Sequence, residues 1–563
     1  MDRHFTLKQL KISELSKVSQ DIKKILKEKK FSNGSSLLNM VDINVAVNYV
    51  FDCEKDDYIF DMEYMYDIQK ILNGSFEPKW KSMHPSTALT AGYASATVRD
   101  DTRDNYNVIV LLEEKSVFTN MSLEALKSIG ESQKRMIIIV SDSDHEKKTH
   151  GNLNAVITKM RYSKPYVEMK KSVKNSLSTN VIGLQTLKTL RGVRDSFKQM
   201  VVADSLFKEF SLDYIGPING NSMTDLVKAL RMAQSKMGPI VIHVVSDRQT
   251  VKNKLDNNFV YTNEMVLQWM SELLKEDENA YFVNTDFPQS SVYDSSEDIF
   301  ADRYVDFGYS YNSAVTFASG LANKGHRTFV LLPSVAVQRC YDQINDIICR
   351  NNLPVTILIN DAGLIGEKSN DFGVYDVSLL STISNLTIAQ PANASEMYGL
   401  IRQSMVSDRP MAIRYPLILV RKDEKIGNAD LSQKWSVSGD LEKCSGVVIT
   451  YGHYHDRIVS KCISNDMDLA VVNARIIKPM DLDLLDRIAD ADVPVFVYAT
   501  DIITGGLGQE IINYYYARGR KVNVRNFALN NDFDSSTSSV DLKRQEKIDI
   551  NSLFEEIDRC LKK

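Results

Sequence analysis

The chain of 563 residues is short of cysteine, of net charge and of long apolar runs, and each shortage removes a class of protein. Its six cysteines (Cys53, Cys340, Cys349, Cys444, Cys462 and Cys560) are scattered and form no Cys-x-x-Cys pair. That spacing excludes a zinc ribbon or a disulfide framework and fits reduced thiols, so the cytoplasm is the expected compartment. A net charge of -5 over this length argues against nucleic acid as a partner. No apolar run approaches the ~20 residues that span a bilayer, and no membrane association is expected. The opening segment, Met1 to Lys30, is charged and amphipathic and has no apolar core of a secretory signal. Short-period repeats and low-complexity tracts are absent as well.

What remains is an ordinary globular composition, 43% hydrophobic and 25% charged, on a chain too long for one core. Short apolar runs alternate with helical stretches. Asn107–Leu112, Met136–Val140, Ile240–Val245, Arg327–Leu332, Val355–Ile359, Val447–Tyr451, Leu469–Asn473 and Val495–Tyr498 read as strands. Each is nearly all apolar, as strands buried on both faces must be. Leu123–Gln133, Val335–Arg350, Ser395–Ser407 and Leu482–Ala489 read as helices between them. The alternation predicts an α/β protein of three doubly wound domains with mostly parallel sheets. Polar, strand-poor stretches at 246–278 and 421–438 place the domains at 1–250, 251–425 (preceded by a linker) and 426–563. A further polar stretch, 144–174, reads as a surface excursion of the first domain.

One corner stands out for what it omits. Arg303 to Gly308 reads as a short strand, and Ala314 to Ala322 as a closely packed helix. A strand-to-helix corner of this kind is where open parallel sheets present chemistry to ligands. Between the two lie Tyr309, Ser310, Tyr311, Asn312 and Ser313, none of which titrates near neutrality.

The order of motifs resembles the 1-deoxy-D-xylulose-5-phosphate synthase family, thiamine-diphosphate enzymes related to transketolase. The matching pieces begin with Gly34-Ser-Ser-Leu, Val45-Ala-Val-Asn-Tyr-Val-Phe51, Tyr214-Ile-Gly-Pro-Ile-Asn-Gly220 and Ile242-His-Val-Val245. They continue with Ala314-Val-Thr-Phe-Ala-Ser-Gly-Leu-Ala322, Ala362-Gly-Leu-Ile-Gly366, Ile413-Arg-Tyr-Pro416, Ile477-Lys-Pro-Met-Asp481 and Gly505-Gly-Leu-Gly508. The resemblance implies a diphosphate-binding domain, a pyrimidine-binding domain and a transketolase-type C-terminal domain, in that order.

It also implies a cofactor, thiamine diphosphate with Mg²⁺, held by a Gly-Asp-Gly turn after one strand and an Asn after the next. Here the corresponding positions are Glu113-Glu114-Lys115 and Ser143. Glu114 is the one residue left to ligate a metal. An added carboxylate ~5 Å from a diphosphate costs on the order of 3 kcal/mol at an effective dielectric of 20. The glutamate that the family uses to activate the aminopyrimidine falls on Tyr311, a phenol that titrates near ~10 and cannot share that proton.

Other positions differ in the same direction: Ser32 and Tyr64 stand for histidines, Asp361 for an arginine and Lys368 for an aspartate, and Asp361 and Lys368 are expected to pair with each other. Ser35, Ser36, His84, Glu114, Ser143 and Tyr311 are the expected remnants of the cofactor pocket, and Arg414 that of a substrate-phosphate site. No catalytic residue is expected to survive, and neither metal nor cofactor is expected to bind. The reading is a non-catalytic binding or regulatory protein, a homodimer or a heteromer with a related enzyme. The alternative is an active synthase that condenses pyruvate with glyceraldehyde 3-phosphate in an unusual pocket. His453-x-His455 offers a weak metal pair, for which a solvated loop is the plainer expectation.

Overall fold

Apolar runs without a polar face bury their side chains only if helices cover both sides of the sheet, and the backbone follows that demand. The computed structural model describes residues 7–28, 34–61, 64–74, 85–143, 207–247, 258–285, 303–364, 372–422, 426–427, 429–533 and 537–562. The surface excursion expected at 144–174 lies outside them. The chain divides into two units, Met1–Asn253 and Lys254–Lys563.

The first unit holds β1 (Asp57–Phe60), β2 (Val108–Glu113), β3 (Ile137–Ser143), β4 (Asp213–Asn219) and β5 (Ile240–Ser246). They form one parallel sheet in the order β1-β2-β3-β5-β4. Successive residues serve opposite faces. Ile109 and Leu111 pack with the helices Gly34–Val50 and Met223–Gln234, while Val108, Val110 and Leu112 pack with Ala88–Thr102 and Asn120–Ser132. Each such Val, Ile or Leu contributes ~1.5–3 kcal/mol on burial. Gly92 lets the helix Ala88–Thr102 lie close, since a Cβ there would stand 2.5 Å from Val110 Cγ2.

The second unit carries two large sheets. Before them, β6 (Phe259–Tyr261) leads into the helix Thr262–Glu276. The middle sheet takes β7 (Ala280–Asn284), β8 (Tyr304–Asp306), β9 (Arg327–Pro333), β10 (Val355–Asn360), β11 (Thr387–Ala389) and β12 (Met411–Arg414). β13 (Leu419–Arg421) pairs with β6 in an antiparallel ribbon. The last sheet is built from β14 (Ser436–Ser438), β15 (Gly446–Thr450), β16 (Leu469–Asn473), β18 (Val495–Ile502) and β19 (Val524–Leu529), in the order β14-β16-β15-β18-β19. The intervening β17 (Ile476–Lys478) joins the middle sheet instead, antiparallel to β11, so the chain segment between strands of the last sheet supplies the middle sheet's edge. The hydrophobic cluster follows suit and runs without a break from Val283 and Ala314 to Val447 and Val497.

The polar stretch 246–278 is not a plain linker. Its second half is the helix Thr262–Glu276, whose Val266, Leu267, Met270, Leu273 and Leu274 recur at helical spacing and pack against Phe282 and Phe329. Thr262 ties the start of that helix to the end of the middle sheet, its hydroxyl donating to Pro416 O at 2.6 Å.

Candidate functional site

The first unit gathers its polar side chains at the carboxyl ends of β1, β2 and β3. β2 runs into a single helical turn, Glu114–Val117, with Glu113 in extended backbone as its cap. Glu114 is half-buried beside Asp142 on β3. Burial, then the neighbouring Asp142 carboxylate and the hydrogen bond to it, push the Glu114 carboxyl up to about 8. It therefore keeps its proton at neutral pH and shares it with Asp142. Asp142 Oδ2 in turn lies 3.1 Å from His243 Nε2 on β5, and His243 Nδ1 lies 3.0 Å from the Tyr214 hydroxyl on β4. The result is a polar chain, Glu114–Asp142–His243–Tyr214, across strands that are otherwise apolar. Asp142 and His243 were not among the expected site residues, although a histidine interrupting the apolar run Ile240–Val245 is a visible signal.

Asp61, just past β1, is fully buried. Its Oδ1 accepts from the Ala88 amide at 3.4 Å, and its Oδ2 has no hydrogen-bond partner. Burial pushes its carboxyl up to about 6, an effect that the Ser116, Ser86 and Ala88 donors oppose.

Of the remaining expected residues in this unit, Ser35 and Ser36 sit in the first turn of the helix Gly34–Val50, and Ser143 ends β3. His84 and Ser32 lie outside the described residues.

The second unit contains the bare corner. β8 ends at Asp306, whose Oδ1 accepts from the Gly308 amide at 2.8 Å, and Gly308 turns the chain at φ 51°. That left-handed conformation suits glycine, which has no Cβ to clash. The helix Tyr311–Asn323 starts three residues later without a side-chain cap from Ser310. Tyr311, its first residue, is buried and belongs to the apolar cluster with Tyr309, Ala314, Val315 and Ala318. Tyr309 and Tyr311 stack at a tilt, with ring centres 6.3 Å apart.

Arg414 is 1% exposed and gives every N–H to the protein. Nε donates to Asp376 (3.0 Å), and Nη1 to Gln390 (2.7 Å) and Asp501 (2.8 Å). Nη2 donates to Gly373 O (3.3 Å), Asp376 (2.8 Å) and Asp501 (2.7 Å). In this arrangement it has no donor left for the substrate phosphate expected of it; its charge is answered inside the fold. Asp361 follows β10 at φ 56° and accepts from Asn360 Nδ2 at 3.2 Å, while its expected partner Lys368 lies outside the described residues.

The histidine pair is not on an extended segment. His453 caps the helix Tyr454–Ser464 and His455 lies in its first turn, 2.7 Å from Asp456 and 3.4 Å from Ser438 Oγ. Both are screened from solvent, contrary to the solvated loop expected. Among the described residues no group of three or more His, Cys, Asp or Glu is placed to hold a metal. Gly508 lets the helix Leu507–Ala517 meet β19 closely, since a Cβ would lie 2.1 Å from Asn526 Oδ1.

The fit of Mg²⁺ and thiamine diphosphate to these residues is uneven. Glu114 and Asp142 are hard oxygen donors, and two carboxylates plus phosphate oxygens suit Mg²⁺ once their shared proton leaves. The diphosphate finds Glu113 and Lys115 side chains where glycines would admit it. At the Tyr311 corner the described carboxylate is Asp306, whose Oδ1 accepts from the Gly308 amide, and the helix that follows begins on a phenol, Tyr311. Glu114 and Asp142 thus suit a divalent ion.

The sheets, their switch of strand order and the polar strand ends define an α/β protein with mostly parallel, doubly wound sheets. Residues 1–78 and 75–246 match the family "1-deoxy-D-xylulose-5-phosphate synthase", and 260–422 match "Transketolase, pyrimidine binding domain". Two similar relatives are described as 1-deoxy-D-xylulose-5-phosphate synthase. That of Caldanaerobacter subterraneus subsp. tengcongensis is 28% identical over 570 residues, covering 90% of each chain. That of Clostridium tetani is 26% identical over 617 residues, covering 99% of each. A crystal structure of transketolase from Campylobacter jejuni is 11% identical with a TM-score of 0.43, covering 99% of this chain and 98% of that one. The chain is thus similar to 1-deoxy-D-xylulose-5-phosphate synthases over most of its length.

Proposed function

We propose that this chain is a synthase homologue without thiamine-diphosphate catalysis, acting as a binding or regulatory protein. The observation that carries the reading is Tyr311, an apolar-packed phenol at the position that matches the family's activating glutamate. General acid–base groups contribute ~10²–10⁴-fold each, and the diphosphate turn departs from the family's glycines as well. The reading is tested by assaying carbon dioxide release from pyruvate with thiamine diphosphate, Mg²⁺ and glyceraldehyde 3-phosphate. No release above buffer is expected, and turnover that depends on the protein would overturn it.

One observation favours a second reading, an active synthase: the Glu114–Asp142 pair retains a donor set for Mg²⁺. Under that reading, release of carbon dioxide is abolished by Glu114→Gln. We further propose three domains divided near 250 and 425, a homodimer or a heteromer with a related enzyme, and a cytoplasmic location. Burial pushes the Cys340 thiol and the Cys349 thiol up to about 12, which suits inert reduced cysteines. Sedimentation of the purified chain separates monomer from dimer, and co-purification from the native source reveals a heteromer.

A further inference from the structure

We propose that the last sheet carries an oxyanion site for a phosphate group, formed by His453, Arg457 and Lys543 around the Tyr454 ring. In this sheet β15 leads through the helix Tyr454–Ser464 to β16 on one side, while β18 leads through the helix Leu507–Ala517 to β19 on the other. The carboxyl ends of β15 and β18 thus flank a topological switch point, the place where doubly wound sheets receive ligands. His453 stands in the loop directly after β15, at the start of its helix.

The donors there are in surplus. Lys543 Nζ donates to Leu364 O at 3.0 Å and to the Tyr454 hydroxyl at 2.9 Å, leaving one of its three N–H groups unassigned. The Arg457 guanidinium stands 5.8 Å from the centre of the Tyr454 ring and has no carboxylate partner among the described residues. The His453 ring lies 4.0 Å from the same tyrosine ring, and its buried Nδ1 has no hydrogen-bond partner.

A buried polar atom without a partner is a standing cost that a bound group would remove. Asp456, the acid nearest in sequence, is engaged by His455 at 2.7 Å and Asn393 at 3.3 Å and leaves the three bases unanswered. Burial, then Lys543, then Arg457 lower the His453 pKa to about 3, as expected of an imidazole facing uncompensated positive charge. An oxyanion with three free oxygens takes one N–H each from Lys543 and His453 and two from the arginine fork. A small phosphorylated metabolite and free phosphate share that chemistry. The site draws on no residue of the Glu114 or Tyr311 regions, so it stands whether or not the chain is catalytic.

The test is calorimetric titration of the full chain with inorganic phosphate and, separately, with glycerol 3-phosphate, both without Mg²⁺ or thiamine diphosphate. Saturable binding is expected, weakened about tenfold or more in Arg457→Gln, whose exposed side chain can be replaced without disturbing the core, and unchanged in the distant control Lys443→Gln. Tighter binding of the ester assigns the site to a phosphorylated metabolite, and equal binding assigns it to phosphate itself. Absence of saturation with both probes overturns the proposal. So does wild-type affinity in both Arg457→Gln and the double variant Arg457→Gln/Lys543→Met.

Discussion

Arg414 on β12 holds Asp501 on β18 through both terminal nitrogens, at 2.7 and 2.8 Å, and so pins the middle sheet to the last one. Asp376 accepts from the Nε and Nη2 edge of the same guanidinium, and the Tyr451 hydroxyl donates to Asp501. Burial raises the Asp376 carboxyl, and the Arg414 charge opposes that rise. Removing the arginine leaves two carboxylates buried without a cation. Arg414→Met is therefore expected to cost ~3–5 kcal/mol, read as a lower denaturant midpoint. A loss under 1 kcal/mol would show that the cluster relaxes freely.

Tyr311 gives a second mutational test. As part of the core, Tyr311→Ala is expected to destabilise by ~3–5 kcal/mol, while Tyr311→Phe keeps the ring volume and its apolar contacts and should cost far less. Equal losses would show that the hydroxyl, rather than the ring, is what the corner needs.

The strand framework was legible because parallel strands buried on both faces are uniformly apolar. Leu469–Asn473 is one such run, and it forms β16 without change of boundary. The destination of Ile476–Lys478 was not legible, because pairing with β11 depends on a contact between distant segments and not on local pattern. The helix Thr262–Glu276 was hidden by polar flanks, although its apolar spacing was in view. At the candidate site, Glu114 and Tyr311 were read from motif position. Asp142 and His243 were missed, because a polar chain running from β3 to β5 to β4 exists only after the strands are ordered. For Arg414, the family resemblance implied a phosphate, whereas Asp376 and Asp501 come from distant segments that no spacing connects.

Asp61 predicts a pH dependence. Its folded-state value of about 6 lies above the ordinary 3.8, so the native state binds the proton more tightly than the unfolded chain. This contribution is present at low pH and is lost as pH rises from about 4 through 6, by roughly 3 kcal/mol at 1.36 kcal/mol per unit. Asp61→Asn should remove that part of the slope. Denaturant titrations at pH 4.5 and 7 check it: the variant gains relative to wild type at the higher pH, and parallel behaviour would contradict the assignment.

Trp435 is buried, and its indole N–H donates to Ile476 O at 2.7 Å, fixing the approach of β17 to the middle sheet. Trp435→Phe leaves that carbonyl without its indole donor and reduces the buried volume. A loss of ~1–3 kcal/mol is expected, measured by thermal or denaturant unfolding.

The central claim is that the family's fold persists here without its cofactor chemistry. Titrating the chain with thiamine diphosphate in excess Mg²⁺, by calorimetry and by melting temperature, tests it most directly. The account predicts no saturable heat and no rise in melting temperature. Saturable binding, with the stabilisation of ~2.7 kcal/mol that a ligand at 100 times its dissociation constant confers, would contradict it.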